Sequence, residues 1–210
     1  MPEQSVIKRF ETSCIACDTW IIAYRSSAFP QPYYLVWYTD NSTGDRLLMY
    51  RNAGIFVTGD LATITAEAEA RLSSLQHTDK TARWLKQVQG LEPSVSNVYD
   101  MDYICNALRR KKLSLKVMDA LSNFIDLFGD YANSLTTTDH LQVFREHPVI
   151  ETFIAHYYQY IFWPRLQQGE KFRDAERPEL AVDHRALLDV FQEMRGYFEA
   201  DIRVMSPTTH

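Results

Sequence analysis

Asp119, Asn123, Asp126, Asp130 and Asn133 follow one another at spacings of four, three, four and three residues. At about 3.6 residues per turn, that spacing puts all five on one face of a helix. Carboxylates and amides gathered in this way can hold a metal ion or present a negative surface to a basic partner. The opposite stripe, Leu121, Phe124, Ile125, Phe128 and Ala132, is apolar. Asp and Asn are poor formers of helix interiors, and like charges four residues apart repel by a few tenths of a kcal/mol. The face therefore serves something other than helix stability, or it is a solvated surface.

Of the two uses, metal binding fits the sequence less well. Di-iron and related sites in helical bundles draw on Glu-x-x-His motifs from several helices. Here the nearest approach is Glu146-His147. Cys14-x-x-Cys17 invites a zinc or redox reading. A structural zinc needs four ligands, yet Cys105 stands alone and no close His pair supplies the rest. The pair also precedes a strand, whereas a thioredoxin-like pair precedes a helix. It reads as two small, partly buried thiols. His77, His140, His147, His156, His184 and His210 form no metal-binding spacing. No G-x-S-x-G, P-loop or G-x-G-x-x-G occurs, and seven glycines leave little material for a phosphate-cradling loop. The expectation is a protein without catalytic activity, metal or cofactor. The alternative is a small-ligand-binding domain or enzyme with a cleft between sheet and helices, using Asp100, Asp102 or His156 as acid or base. An aromatic helix around Tyr157, Tyr160, Phe162 and Trp163 reads as core ahead of ligand site.

Charge narrows the partners. The chain carries a formal net charge of −5 and a pI of about 5.7. Binding to a phosphate backbone needs a basic patch. The run Arg109-Arg110-Lys111-Lys112 sits at a helix end, where cations complement the macrodipole, and no stacking aromatics interleave with it. Nucleic acid is not an expected partner. No stretch approaches the ~20 apolar residues that span a bilayer; the longest apolar-rich one, Val149 to Trp163, is broken by Glu151, His156 and Gln159. No secretory signal is readable over Met1 to Phe10, and three cysteines suit a reducing compartment, so the expected location is the cytoplasm.

These residues need elements to position them. Thr19–Arg25, Tyr33–Thr39, Arg46–Arg51 and Ile55–Thr58 read as short aromatic, β-branched strands. Pro30 and Pro32, the loop Asp40–Asp45 with Gly44 at positive φ, and Asn52-Ala53-Gly54 separate them. Apolar residues do not alternate along Tyr33–Tyr38, so that strand is expected to be central and covered on both faces. From Thr63 the period becomes helical: a helix to Leu75, another over Asp79–Val88, and a break at Gly90–Asn97. Further helices are predicted over Asp100–Arg110, from a Ser114 cap to about Ser134, from a Thr138 or Asp139 cap to Arg145, from Pro148 to before Pro164, and over His184–Val204. Gly169–Asp183 reads as a charged loop. The class is α+β: an N-terminal four-stranded antiparallel sheet packed against a mainly helical C-terminal part. One domain spans 1–210, sheet-rich over 1–62 and helical over 63–210, with a sub-boundary at 90–98.

An aromatic antiparallel sheet followed by helices, with Asn123-Phe124-Ile125-Asp126-Leu127-Phe128-Gly129-Asp130-Tyr131-Ala132 as the most distinctive stretch, resembles certain bacterial immunity proteins. These accompany polymorphic toxins, including those of contact-dependent inhibition systems. The resemblance covers Thr19 to Leu135 and transfers no individual residue. It implies a small cytoplasmic protein that binds a cognate toxin domain, such as a nuclease, and blocks it. In many such pairs an acidic inhibitor surface meets a basic toxin site. Asp119, Asn123, Asp126, Asp130 and Asn133 would then be the partner-binding residues.

Overall fold

Both faces of the strand beginning at Tyr33 are apolar, and the architecture follows from covering both. The structure, a computed structural model, describes residues 3–51, 54–135, 139–174 and 177–203. Strands β1 (Thr19–Arg25), β2 (Tyr33–Asp40), β3 (Gly44–Leu47) and β4 (Ile55–Thr58) form the expected antiparallel meander. β2 is internal. It pairs with β1 in the register Trp20↔Trp37, while β3 and β4 divide its other side between them. Strand alternation sends Ile22, Tyr24, Tyr33, Leu35, Leu47 and Val57 into one core and Ile21, Val36, Tyr38 and Phe56 into another.

The smaller core is closed by α1 (Glu3–Cys17), α2 (Ile64–Ala70) and α3 (Thr78–Val88). The larger is closed by α4 (Met101–Arg109), α5 (Leu115–Ser134), α7 (Pro148–Tyr157) and α9 (His184–Ala200), with α6 (Asp139–Arg145) joining α5 to α7. Phe124 of α5 meets Phe191 and Phe198 of α9 edge-on, at 5.3 and 6.1 Å between ring centres. Burying each such ring contributes about 1.5–3 kcal/mol. Ser114 caps α5 through Val117 N, and Asp100 caps α4 through Tyr103 N.

The sheet is mixed where a purely antiparallel one was expected. β5 (Val95–Asp100) pairs parallel to β1, and β6 (Ile202–Arg203) pairs parallel to β4, giving the order β5-β1-β2-β4-β6. Both strands come from the part read as helical. Ser96, Asn97 and the preceding Pro93 carry turn chemistry, and the edge position on β1 overrides it. β3 is earlier and shorter than Arg46–Arg51. The helix α1, which lies before the first strand read from the sequence, went unread; among its side chains that are described, Phe10, Cys14 and Cys17 are buried.

Helix also continues past Pro164. A wide turn over Tyr158–Phe162, in which Trp163 N–H donates to Tyr158 O, leads into α8 (Trp163–Gln168). The wider turn shifts the carbonyls that the proline ring would otherwise meet. The cap at Thr138, the turn residues Asn52 and Ala53, and the predicted helix end at Val204 lie outside the described residues. Among the described residues, no helix is long and apolar enough to cross a membrane.

Candidate functional site: an acidic cleft on α5

α5 buries Leu121, Phe124 and Phe128 and turns its acid and amide face toward the space between the sheet and α7. Its C-terminal end is pinned to the sheet. Ser134 Oγ donates to Asp130 O at 2.6 Å and accepts Leu47 N–H at 2.8 Å. The space is a cleft of about 520 Å³. Trp37 of β2, Asp45 of β3 and Tyr99 of β5 line its sheet side. Asn123, Asp126, Asp130 and Asn133 line the α5 side, where Gly129 leaves room. Ile150, Glu151 and Ile154 of α7 close it, and Arg145 stands at the end of α6. Four carboxylates (Asp45, Asp126, Asp130 and Glu151) thus face one guanidinium across one concavity.

Asp130 is fixed by the sheet: Trp37 Nε1 donates to its Oδ2 at 2.8 Å. Burial pushes its carboxyl up to about 6. The Trp37 hydrogen bond opposes this, Asp45 and Asp126 add to it, and Arg145 offsets part of it. Asp126 keeps open surface, yet the protein atoms around it raise its carboxyl as well, against Arg145. No hydrogen-bond donor or ion-pair partner reaches Asp126 among the described residues. Tyr99 is pushed up to about 12 by burial first; a hydrogen bond with Asn97 opposes the shift, and Asp130 and Asp126 reinforce it. The cleft therefore holds more negative charge than its surroundings solvate well, and it would gain from an added cation.

The structure brings Asn123, Asp126, Asp130 and Asn133 together in this cleft and takes Asp119 elsewhere. One turn further back on α5, Asp119 accepts a two-pronged hydrogen bond from Arg165 at 3.0 and 3.1 Å, and another from Tyr157 Oη at 2.8 Å. Burial, then this carboxylate, raise the Tyr157 hydroxyl. Asp119 fastens α8 and the end of α7 to α5.

The acids and bases of the alternative reading are also committed. Asp100 caps α4. Asp102 accepts Ser27 N–H at 2.6 Å, Ser27 Oγ–H at 2.8 Å and Arg195 Nη1–H at 3.4 Å. His156 packs against Tyr160 at 5.1 Å, and burial lowers its pKa. Burial also pushes the Cys14 thiol up to about 11 and raises Cys17, so neither is a ready thiolate. Among the described residues, no group of three or more His, Cys, Asp or Glu side chains is placed to hold a metal. The residues that sequence reasoning missed are Trp37, Asp45, Tyr99, Arg145 and Glu151. They come from five other elements, and no local spacing signals them.

No family model matches the chain, and no curated protein matches it. Among solved structures, the crystal structure of the SatS C-terminal domain in complex with bromine is similar. The TM-score is 0.55 over 90% of this chain and 95% of that one, at 14% sequence identity. At that identity the likeness shows a shared fold alone.

Proposed function

We propose that this protein is a non-catalytic inhibitor that binds a basic protein, a cognate toxin domain in an immunity pair, by receiving a basic side chain of that partner in the acidic cleft. The observation that carries this reading is the cleft itself. Asp126 has an unpartnered carboxylate there, Asp130 is held at an elevated pKa, and Asp45 and Glu151 leave Arg145 outnumbered. A basic group entering between these carboxylates would replace poor solvation with charge pairing, and electrostatic complementarity would steer its approach. Asp119 is not part of this surface, because Arg165 and Tyr157 already occupy it.

The direct test is to read the frames adjoining this gene for a toxin domain and to co-express this protein with it; finding no such domain there would count against the immunity reading. The parent is expected to protect the cell and to co-purify with the domain, and Asp126→Asn/Asp130→Asn to do neither while remaining folded. Full protection by the double variant would remove the cleft from the interface. A small cationic molecule is the second reading. Its support is a volume within the ~300–1,000 Å³ typical of ligand pockets and two aromatic side chains, Trp37 and Tyr99, in the wall. Mass spectrometry of the protein as purified separates the two: a stoichiometric amine or guanidine favours the second.

A further inference from the structure

The wall of the acidic cleft continues beyond it as an apolar shelf. Along α7, the wide turn and α8, the side chains at 154, 158, 162 and 166 succeed one another at four-residue intervals. Ile154 lines the cleft. Tyr158 follows, near enough to Asp126 for that carboxylate to add to the burial that raises its hydroxyl. The Tyr158 ring then packs on Phe162 at 5.2 Å and on Trp163 at 6.4 Å, with Phe162 and Trp163 4.9 Å apart. Trp163 is 53% exposed, and Leu166 in the next turn is 65% exposed. Single exposed apolar residues are ordinary. A tryptophan and a leucine on a ring cluster that runs into a charged cleft form a contiguous surface of the kind that marks an interaction site.

We propose that this shelf is the second half of the docking surface and that its occupant is an amphipathic basic segment of the partner protein. The proposal rests on the reading of the cleft as a site for a basic group. Charge selects the occupant. Asp126 and Asp130 call for a cation at one end, while Trp163 and Leu166 call for an apolar side chain at the other. A second copy of this chain, at a net charge of −5, would meet like charge. An anionic lipid surface would be repelled by the same cleft. Ile154 and Trp163 are nine residues apart, so at ~1.5 Å per residue the two ends lie about 13 Å from one another. On a helical partner segment, residues seven and eleven positions apart share a face and lie about 11 and 17 Å apart along the axis, which brackets that distance.

Two fluorescein-labelled synthetic helical peptides test this by anisotropy. One carries arginines alone; the other carries the same arginines with two leucines on the same face, seven and eleven positions away. The parent is expected to bind the second about tenfold tighter than the first. Trp163→Ala/Leu166→Ala is expected to erase that advantage and leave the affinity for the arginine peptide unchanged. Leu166→Ser, a change at an exposed position with little risk to folding, is expected to lose part of it. Asp126→Asn/Asp130→Asn is expected to weaken both peptides. If the parent binds the two peptides equally, or keeps the advantage in both shelf variants, the shelf is not a docking surface. If the arginine peptide still binds through the carboxylates in that case, the cleft reading stands. If neither peptide binds the parent, both readings fall.

Discussion

Trp37 on the central strand and Asp130 on α5 are joined by an indole-to-carboxylate hydrogen bond of 2.8 Å. Trp37 also leans on Trp20 of the neighbouring strand, with ring centres 4.9 Å apart. The sheet thereby sets the position of one acidic group of the cleft, and the cleft's charge is coupled to the core. Replacing Trp37 by Phe removes the donor that favours the ionised form. The Asp130 carboxyl, already at about 6, is expected to titrate higher. A carbon-13 carboxyl titration by NMR checks this, and an unchanged value would show that the hydrogen bond does not hold the charge.

Asp130 should also govern stability against pH. Its folded pKa, about 6, lies above the ordinary aspartate value of 3.8. Its contribution is therefore fully present below pH ~4 and is lost as pH rises through ~6. Asp130→Asn is expected to be more stable than the parent at neutral pH, by about 1–2 kcal/mol after allowance for the partial exposure of the site. The advantage should vanish below pH ~4. Urea unfolding at several pH values measures it, and a variant less stable at neutral pH would contradict it.

Binding should carry the same signature. A cation in the cleft favours ionised Asp130, so affinity is expected to fall as pH drops through ~6 and to fall less steeply for Asp130→Asn. Asp45, Asp126, Glu151 and Arg145 share the cleft, and Asp126 titrates upward for the same reason of burial. Calorimetry in two buffers of different ionisation enthalpy should register proton release on binding near pH 6.

Asp119 and Gly129 separate structure from function on the same helix. Asp119→Ala removes the Arg165 and Tyr157 contacts and is expected to cost about 1 kcal/mol, since the ion pair is partly exposed. A β-carbon at Gly129 meets open space. Gly129→Ala is therefore expected to gain up to ~1 kcal/mol of helix stability while placing a methyl group in the cleft. Thermal unfolding beside a binding assay should show Asp119→Ala less stable with binding kept, and Gly129→Ala more stable with binding weakened.

Much of this was legible along the chain. The non-alternating Tyr33–Tyr38 run predicted a strand covered on both faces, and Ser114 predicted the start of α5. The spacing of Asn123, Asp126, Asp130 and Asn133 predicted the face that now lines the cleft. What lay beyond reach depends on tertiary contact. β5 is a strand because β1 offers an edge, despite Ser96 and Asn97. Asp119 shares the spacing of its neighbours on α5, but Arg165, 46 residues later, takes it out of the shared surface. The aromatic wall is built from Trp37 and Tyr99, which meet α5 only once the sheet has formed.

The most direct test of the account is the affinity of the parent and of Asp126→Asn/Asp130→Asn for the arginine peptide, measured by calorimetry at low and high salt. The cleft reading predicts that the parent binds more weakly at high salt. It predicts that the double variant, folded as judged by circular dichroism, loses about tenfold or more, equivalent to ~1.4 kcal/mol. Equal affinities for parent and variant at both salt concentrations would contradict it.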